Sequence, residues 1–145
     1  MMKKILVATD GSAHSDKALN GALEFARQTG GRLVVISVAE PYPFPPISES
    51  PYAGGSAAYE QRALELAQEH VDKAAAAASA AQVPCETVVV HGLNPHDEIV
   101  AAAQKLDCDA IFMATHGRKG LNKLFAGSET QKVIAHSPVP VMVFR

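Results

Sequence analysis

Short runs of almost unbroken apolar, largely β-branched residues recur along this sequence, and stretches of helical periodicity separate them. Leu33-Val34-Val35-Ile36-Ser37-Val38 is the clearest example. A strand that is apolar on both of its faces needs cover on both, which a parallel sheet between helices provides and a one-sided antiparallel sheet does not. The alternation therefore predicts an α/β domain, a doubly wound parallel sheet with helices on both faces.

The first strand is Lys4-Ile5-Leu6-Val7-Ala8, closed by the turn and cap residues Thr9-Asp10-Gly11-Ser12. A helix is expected from Ser15 to Thr29, because Ala18, Leu19, Ala22, Leu23 and Ala26 recur at helical spacing and Gly30-Gly31 ends the pattern. After the second strand, residues 40 to 57 carry five prolines and an adjacent glycine pair, a long connection of a length that compact domains seldom keep without a use. A second helix is expected over residues 58 to 81, with Leu64, Ala67, Val71, Ala74 and Ala78 on one face and Glu65, Glu69 and Asp72 on the other. Glu86 to Val90 forms the third strand. Asn94-Pro95 then supplies a cap and a first-turn proline for a helix ending near Leu106. Asp109 to Ala114 is the fourth strand, a glycine-rich loop leads to a short helix from Ser128, and Val139 to Phe144 is the fifth strand.

With 145 residues the chain fits one domain, residues 1 to 145. The formal net charge of -2 gives no polyanion-binding surface, so nucleic acid is not an expected partner. Met1-Met2-Lys3-Lys4 begins as an export signal does, but Thr9, Asp10 and Gly11 cut the apolar run short. No stretch approaches the roughly 20 apolar residues that cross a bilayer. A soluble, cytoplasmic protein is expected. Cys85 and Cys108 have neither metal-knuckle nor scaffold spacing and read as small buried hydrophobes.

In such sheets ligands bind beyond the carboxyl ends of the strands, where strand order reverses. Two loops reach that place, Thr9-Asp10-Gly11-Ser12 and residues 115 to 128. In the second, Gly117 and Gly127 let a phosphate approach the main chain, Ser128 opens a helix whose N–H groups suit an anion, and Arg118, Lys119 and Lys123 add positive charge. The competing reading is structural: Ser128-Glu129-Thr130-Gln131 is also a capping box, the glycines also serve as turn residues, and the basic side chains also suit a solvated loop.

Along its whole length the chain resembles the universal stress protein family: the opening Ile5-Leu6-Val7-Ala8-Thr9-Asp10-Gly11-Ser12, the proline-rich insertion after the second strand, and Met113 to Ser128 before a closing strand carry the likeness. The ATP-binding branch of that family has a glycine, two residues, a glycine, nine residues, then glycine with serine or threonine. Gly117, Gly127 and Ser128 match, and Ala114 replaces the first glycine. Alanine is harmless there with ordinary torsions and damaging with a positive φ. The resemblance implies an adenine nucleotide alpha hydrolase-like sheet of order 3-2-1-4-5. It implies adenine between Ala8 and Thr9 on one side and Val38 on the other, Asp10 toward the ribose and phosphates, and Met113 and Ala114 lining the pocket. Gly117, Arg118, Gly127, Ser128, Glu129 and Thr130 would then surround the phosphates. Asp10 is also the candidate ligand for magnesium bridging those phosphates, or else a turn residue bonding nearby N–H groups.

The family pairs its last strands across a two-fold axis, so a homodimer through Val139 to Phe144 is implied, unless Pro138 and Pro140 blunt that edge. Of six histidines, only His116, in the glycine-rich loop, has a site-like position. No nucleophile, base and orienting acid form a recognisable set, so the expected role is stress-response binding with at most slow ATP hydrolysis. The alternative is a nucleotide-free dimer acting through protein contacts. A phospho-receiver fails, because the third strand ends in Val90-His91-Gly92 with no aspartate, and Asp10-Gly11-Ser12 is only a faint echo of a pyrophosphatase loop.

Overall fold

The computed structural model describes residues 2–41, 53–115 and 128–145. Within them run strand β1 (Lys4–Ala8), helix α1 (Ala13–Thr29), β2 (Arg32–Ala39), α2 (Ala53–Ala80), β3 (Cys85–His91), α3 (Pro95–Lys105), β4 (Ala110–Ala114), α4 (Ser128–His136) and β5 (Val141–Phe144). The sheet is five-stranded, every pairing is parallel, and the order is β3-β2-β1-β4-β5. The chain builds outward from β1 to β3 and then crosses to the other side of β1 for β4. The point of reversal therefore lies between β1 and β4.

Alternation along the strands divides the core in two. Ile5, Val7, Leu33, Val35 and Phe112 pack with α1 and α2. Leu6, Val34, Ile36, Ile111 and Met113 pack with α3 and α4. Phe25 meets the edge of Phe112 at 5.8 Å between ring centres, and Phe144 lies 5.7 Å from the same ring. Each fully buried aliphatic side chain contributes about 1.5–3 kcal/mol relative to exposure, which makes these stripes the main support of the fold.

The ends of α1 show local chemistry setting boundaries. Ser12 caps the helix by accepting from the Ser15 N–H at 3.1 Å. Gly30, at φ 68°, ends it in the left-handed region, and the Gly31 N–H returns to the Ala26 carbonyl at 2.9 Å.

Four details differ from the sequence reading. Helix α2 starts at Ala53, inside the segment assigned to the connection. Leu64 is 37% exposed, although Ala67, Val71, Ala74 and Ala78 of the same predicted face are buried. Strand β5 starts at Val141, after Pro138 and Pro140, which have no N–H to donate. Cys85 is only half-buried on edge strand β3, whereas Cys108 is buried and its thiol is pushed up to about 11 chiefly by that burial.

A difference of length then shapes the site. At about 1.5 Å per residue α2 runs about 42 Å, and at about 3.3 Å per residue β2 runs about 26 Å. The buried residues Val71, Ala74 and Ala78 occupy the second half of α2. Its first half projects past the carboxyl ends of the strands.

Candidate functional site

A cavity of about 580 Å³ opens at those carboxyl ends, a size suited to a small organic ligand. Ala8, Thr9 and Asp10 come from the end of β1, Ile36 to Glu40 from β2, and Met113, Ala114 and Thr115 from β4. Pro95 and Ile99 of α3 and Ser128, Glu129 and Thr130 of α4 complete one side. Helix α2 supplies the opposite side, with Tyr59, Ala63 and Leu66 from its projecting first half and Ala67 and His70 just beyond. The site stands at the reversal point where α/β sheets bind ligands.

The turn after β1 is held by its own side chains. Thr9 N–H donates to the Ile36 carbonyl at 2.9 Å, and Thr9 Oγ1 accepts from the Gly11 N–H at 3.2 Å and lies 3.2 Å from Ser15 Oγ. Asp10 Oδ1 accepts from the Ser12 N–H at 3.0 Å, the turn-forming role open to it from sequence. Gly11 has φ 78°, which only glycine adopts without strain, and a Cβ there would overlap the imidazole of His70.

At the end of β4, Ala114 is not among the described residues with positive φ, so alanine costs the backbone nothing where the family fingerprint has glycine. Its carbonyl accepts from Thr130 Oγ1 at 2.8 Å, which ties the first turn of α4 to β4. Thr130 is buried and Ser128 is exposed at the helix start.

Glu129 makes a connection that the sequence did not reveal. Its Oε2 accepts from the His96 N–H at 2.8 Å and lies 2.9 Å from His96 Nδ1. His96 stands in the first turn of α3, and Asn94, the expected cap, makes no side-chain capping bond. Glu129 takes its place from another helix, where the positive end of the α3 dipole favours a carboxylate. Burial raises the Glu129 pKa, but the hydrogen bonds from the His96 side chain and backbone, with the charges of His96 and Lys132, outweigh it and hold the carboxyl below its ordinary value.

Of the residues expected at the site, Ala8, Thr9, Asp10, Val38, Met113, Ala114, Ser128, Glu129 and Thr130 all line this one cavity. Gly117, Arg118 and Gly127 lie outside the described residues, as does His116. Sequence reasoning missed the whole α2 wall, together with Ser15, Ser37 and Pro95. Among the described residues no group of three or more His, Cys, Asp or Glu side chains is arranged to hold a metal ion, and no helix is long and apolar enough to cross a membrane.

The model of the universal stress protein family matches residues 1–145. The chain belongs to the universal stress protein family. A universal stress protein of Thermus aquaticus is 36% identical over 146 residues, covering 100% of both chains. One of Methanocaldococcus jannaschii is 31% identical over 145 residues, covering 100% of this chain and 83% of the relative. The solved structure of a Lactobacillus plantarum universal stress protein superposes with a TM-score of 0.86 at 20% identity, covering 99% of this chain and 98% of that one. An Archaeoglobus fulgidus universal stress protein in complex with dAMP gives 0.66 at 20% identity, covering 100% and 98%. An Arabidopsis thaliana family protein with AMP bound gives 0.67 at 18% identity, covering 97% and 90%.

Proposed function

We propose that this universal stress protein binds an adenine nucleotide, with ATP as the ligand its glycine-serine motif favours, and works as a stress-response binding protein rather than by turnover. The observation that carries the reading is the convergence of Ala8, Thr9, Asp10, Val38, Met113, Ala114 and Ser128 to Thr130 on one cavity at the reversal point of the sheet. The complexes of the Archaeoglobus and Arabidopsis family proteins with dAMP and AMP support the ligand class.

In this reading Ala8, Ile36, Val38 and Met113 form apolar walls that exclude water from the base. Thr9 and Asp10, at the end of β1, face the ribose and phosphates. The start of α4 at Ser128 presents N–H groups to phosphate oxygens, and the Thr130 and Glu129 hydrogen bonds hold that helix end in position. Gly117, Arg118 and Gly127 would complete the phosphate cradle. Magnesium bound to ATP fits a site of this kind, since it takes most of its ligands from phosphate and water and needs only one or two carboxylates, with Asp10 as the candidate. Its contribution would be to neutralise phosphate charge.

Titration calorimetry with ATP and magnesium, and with AMP alone, tests the proposal. Saturable one-site binding is expected. No heat and no thermal shift at millimolar ligand would overturn it.

A homodimer through the last strand is the second part of the proposal. Edge strand β5 leaves Met142 46% exposed, an apolar edge of the kind that proteins cover or pair.

A further inference from the structure

Helix α2 brings His70 to the cavity, one residue before the buried Val71. Its ring lies against Gly11 so closely that a Cβ on Gly11 would overlap Cδ2 and Nε2 and stand 2.9 Å from Cε1. Gly11 follows Asp10 in the turn that closes β1, and both Asp10 and His70 line the cavity. The imidazole therefore sits beside the part of the pocket that the nucleotide reading gives to ribose and phosphate. The rest of the α2 wall is Tyr59 with the aliphatic Ala63, Leu66 and Ala67, which suit a base.

The carboxyl side chains lining the described cavity are Asp10, Glu40 and Glu129. No lysine or arginine lines it among the described residues. An imidazole is then the one side chain of this wall able to present an N–H donor carrying positive charge to an anion.

Resting on the nucleotide reading, we propose that His70 is a specificity-determining residue of the pocket, donating a hydrogen bond to the ribose-phosphate part of the ligand and selecting nucleotides over the free nucleoside. The aliphatic part of α2 covers the base, and the histidine one turn further on reads what the base carries. Glycine at position 11, which the φ of 78° already favours, also leaves room for the ring.

The test compares AMP with adenosine by titration calorimetry at pH 6.5 on the full chain, with thermal melts alongside. In wild type, AMP should bind more tightly than adenosine. His70→Ala should weaken AMP by about tenfold, the scale of one hydrogen bond to a charged group, and leave adenosine within about twofold. His70→Asn, which keeps a donor, should recover part of the loss.

Equal weakening of AMP and adenosine would reduce His70 to packing against the turn and overturn the proposal. Unchanged AMP binding in a folded His70→Ala protein would overturn it too. Failure of wild type to bind either AMP or adenosine is a different outcome, since it removes the nucleotide reading itself and the proposal with it.

Discussion

Replacing Glu129 by glutamine removes one negative charge from the point where α4 meets the start of α3. The carboxylate receives the His96 N–H at 2.8 Å and lies 2.9 Å from the His96 ring nitrogen. Hydrogen bonds to a charged group contribute about 1.5–3 kcal/mol when well shielded. The Glu129 side chain is 38% exposed, so solvent screening reduces the figure. Glutamine keeps an acceptor oxygen, and the expected loss at neutral pH is about 1 kcal/mol, or roughly 2–4 °C in melting temperature for a chain of this size.

The dependence on pH fixes the cause. The folded Glu129 pKa is below its ordinary value of 4.5, so its stabilisation is fully present above that value and fades as pH falls through the lower folded value. Urea unfolding of wild type and Glu129→Gln at pH 7, 5 and 3.5 should show a difference that holds between the first two and shrinks at the third. An equal difference at all three pH values would refute the electrostatic cap and leave only shape. A variant as stable as wild type at pH 7 would refute the cap altogether.

Two other substitutions probe the site and the edge. Ala114→Gly restores the family's first motif glycine, but because the backbone at Ala114 is ordinary strand, the change should lower stability by about 0.5–1 kcal/mol and leave ATP affinity unaltered in calorimetry. On the proposed homodimer, wild type should sediment as a dimer, and Met142→Glu, which places a charge on the exposed edge strand, should sediment as a monomer with an unchanged helical circular dichroism signal.

Much of the fold was legible because its signals are local. The apolar runs located all five strands, though β5 starts two residues later and β3 is longer by one residue at each end, and Ala18, Leu19, Ala22, Leu23 and Ala26 form the buried face of α1. The order of strands came from family likeness, since periodicity says nothing of which strands are neighbours. The start of α2 was misplaced because Ala53, Gly54 and Gly55 follow a proline-rich run and carry no cap or apolar rhythm. The α2 wall escaped for a different reason. Periodicity reports which face of a helix is apolar, but where that face leaves the sheet and starts to line a cavity depends on the relative lengths of helix and strand. The Glu129–His96 bond spans 33 positions, and nothing near either residue announces it. Asn94 had the local sequence of a cap, yet a carboxylate from another helix holds the position.

The two layers flanking the sheet are unequal: α1 and α2 have 17 and 28 residues, α3 and α4 only 11 and 9. Transient opening in a folded protein favours its thinner parts, and here the thinner layer brings Pro95, Ser128, Glu129 and Thr130 to the cavity. A molecule lodged there fastens the half of the structure that loosens most readily. Occupancy should therefore register as slowed amide exchange in α3 and α4, with α1 keeping its unliganded rate.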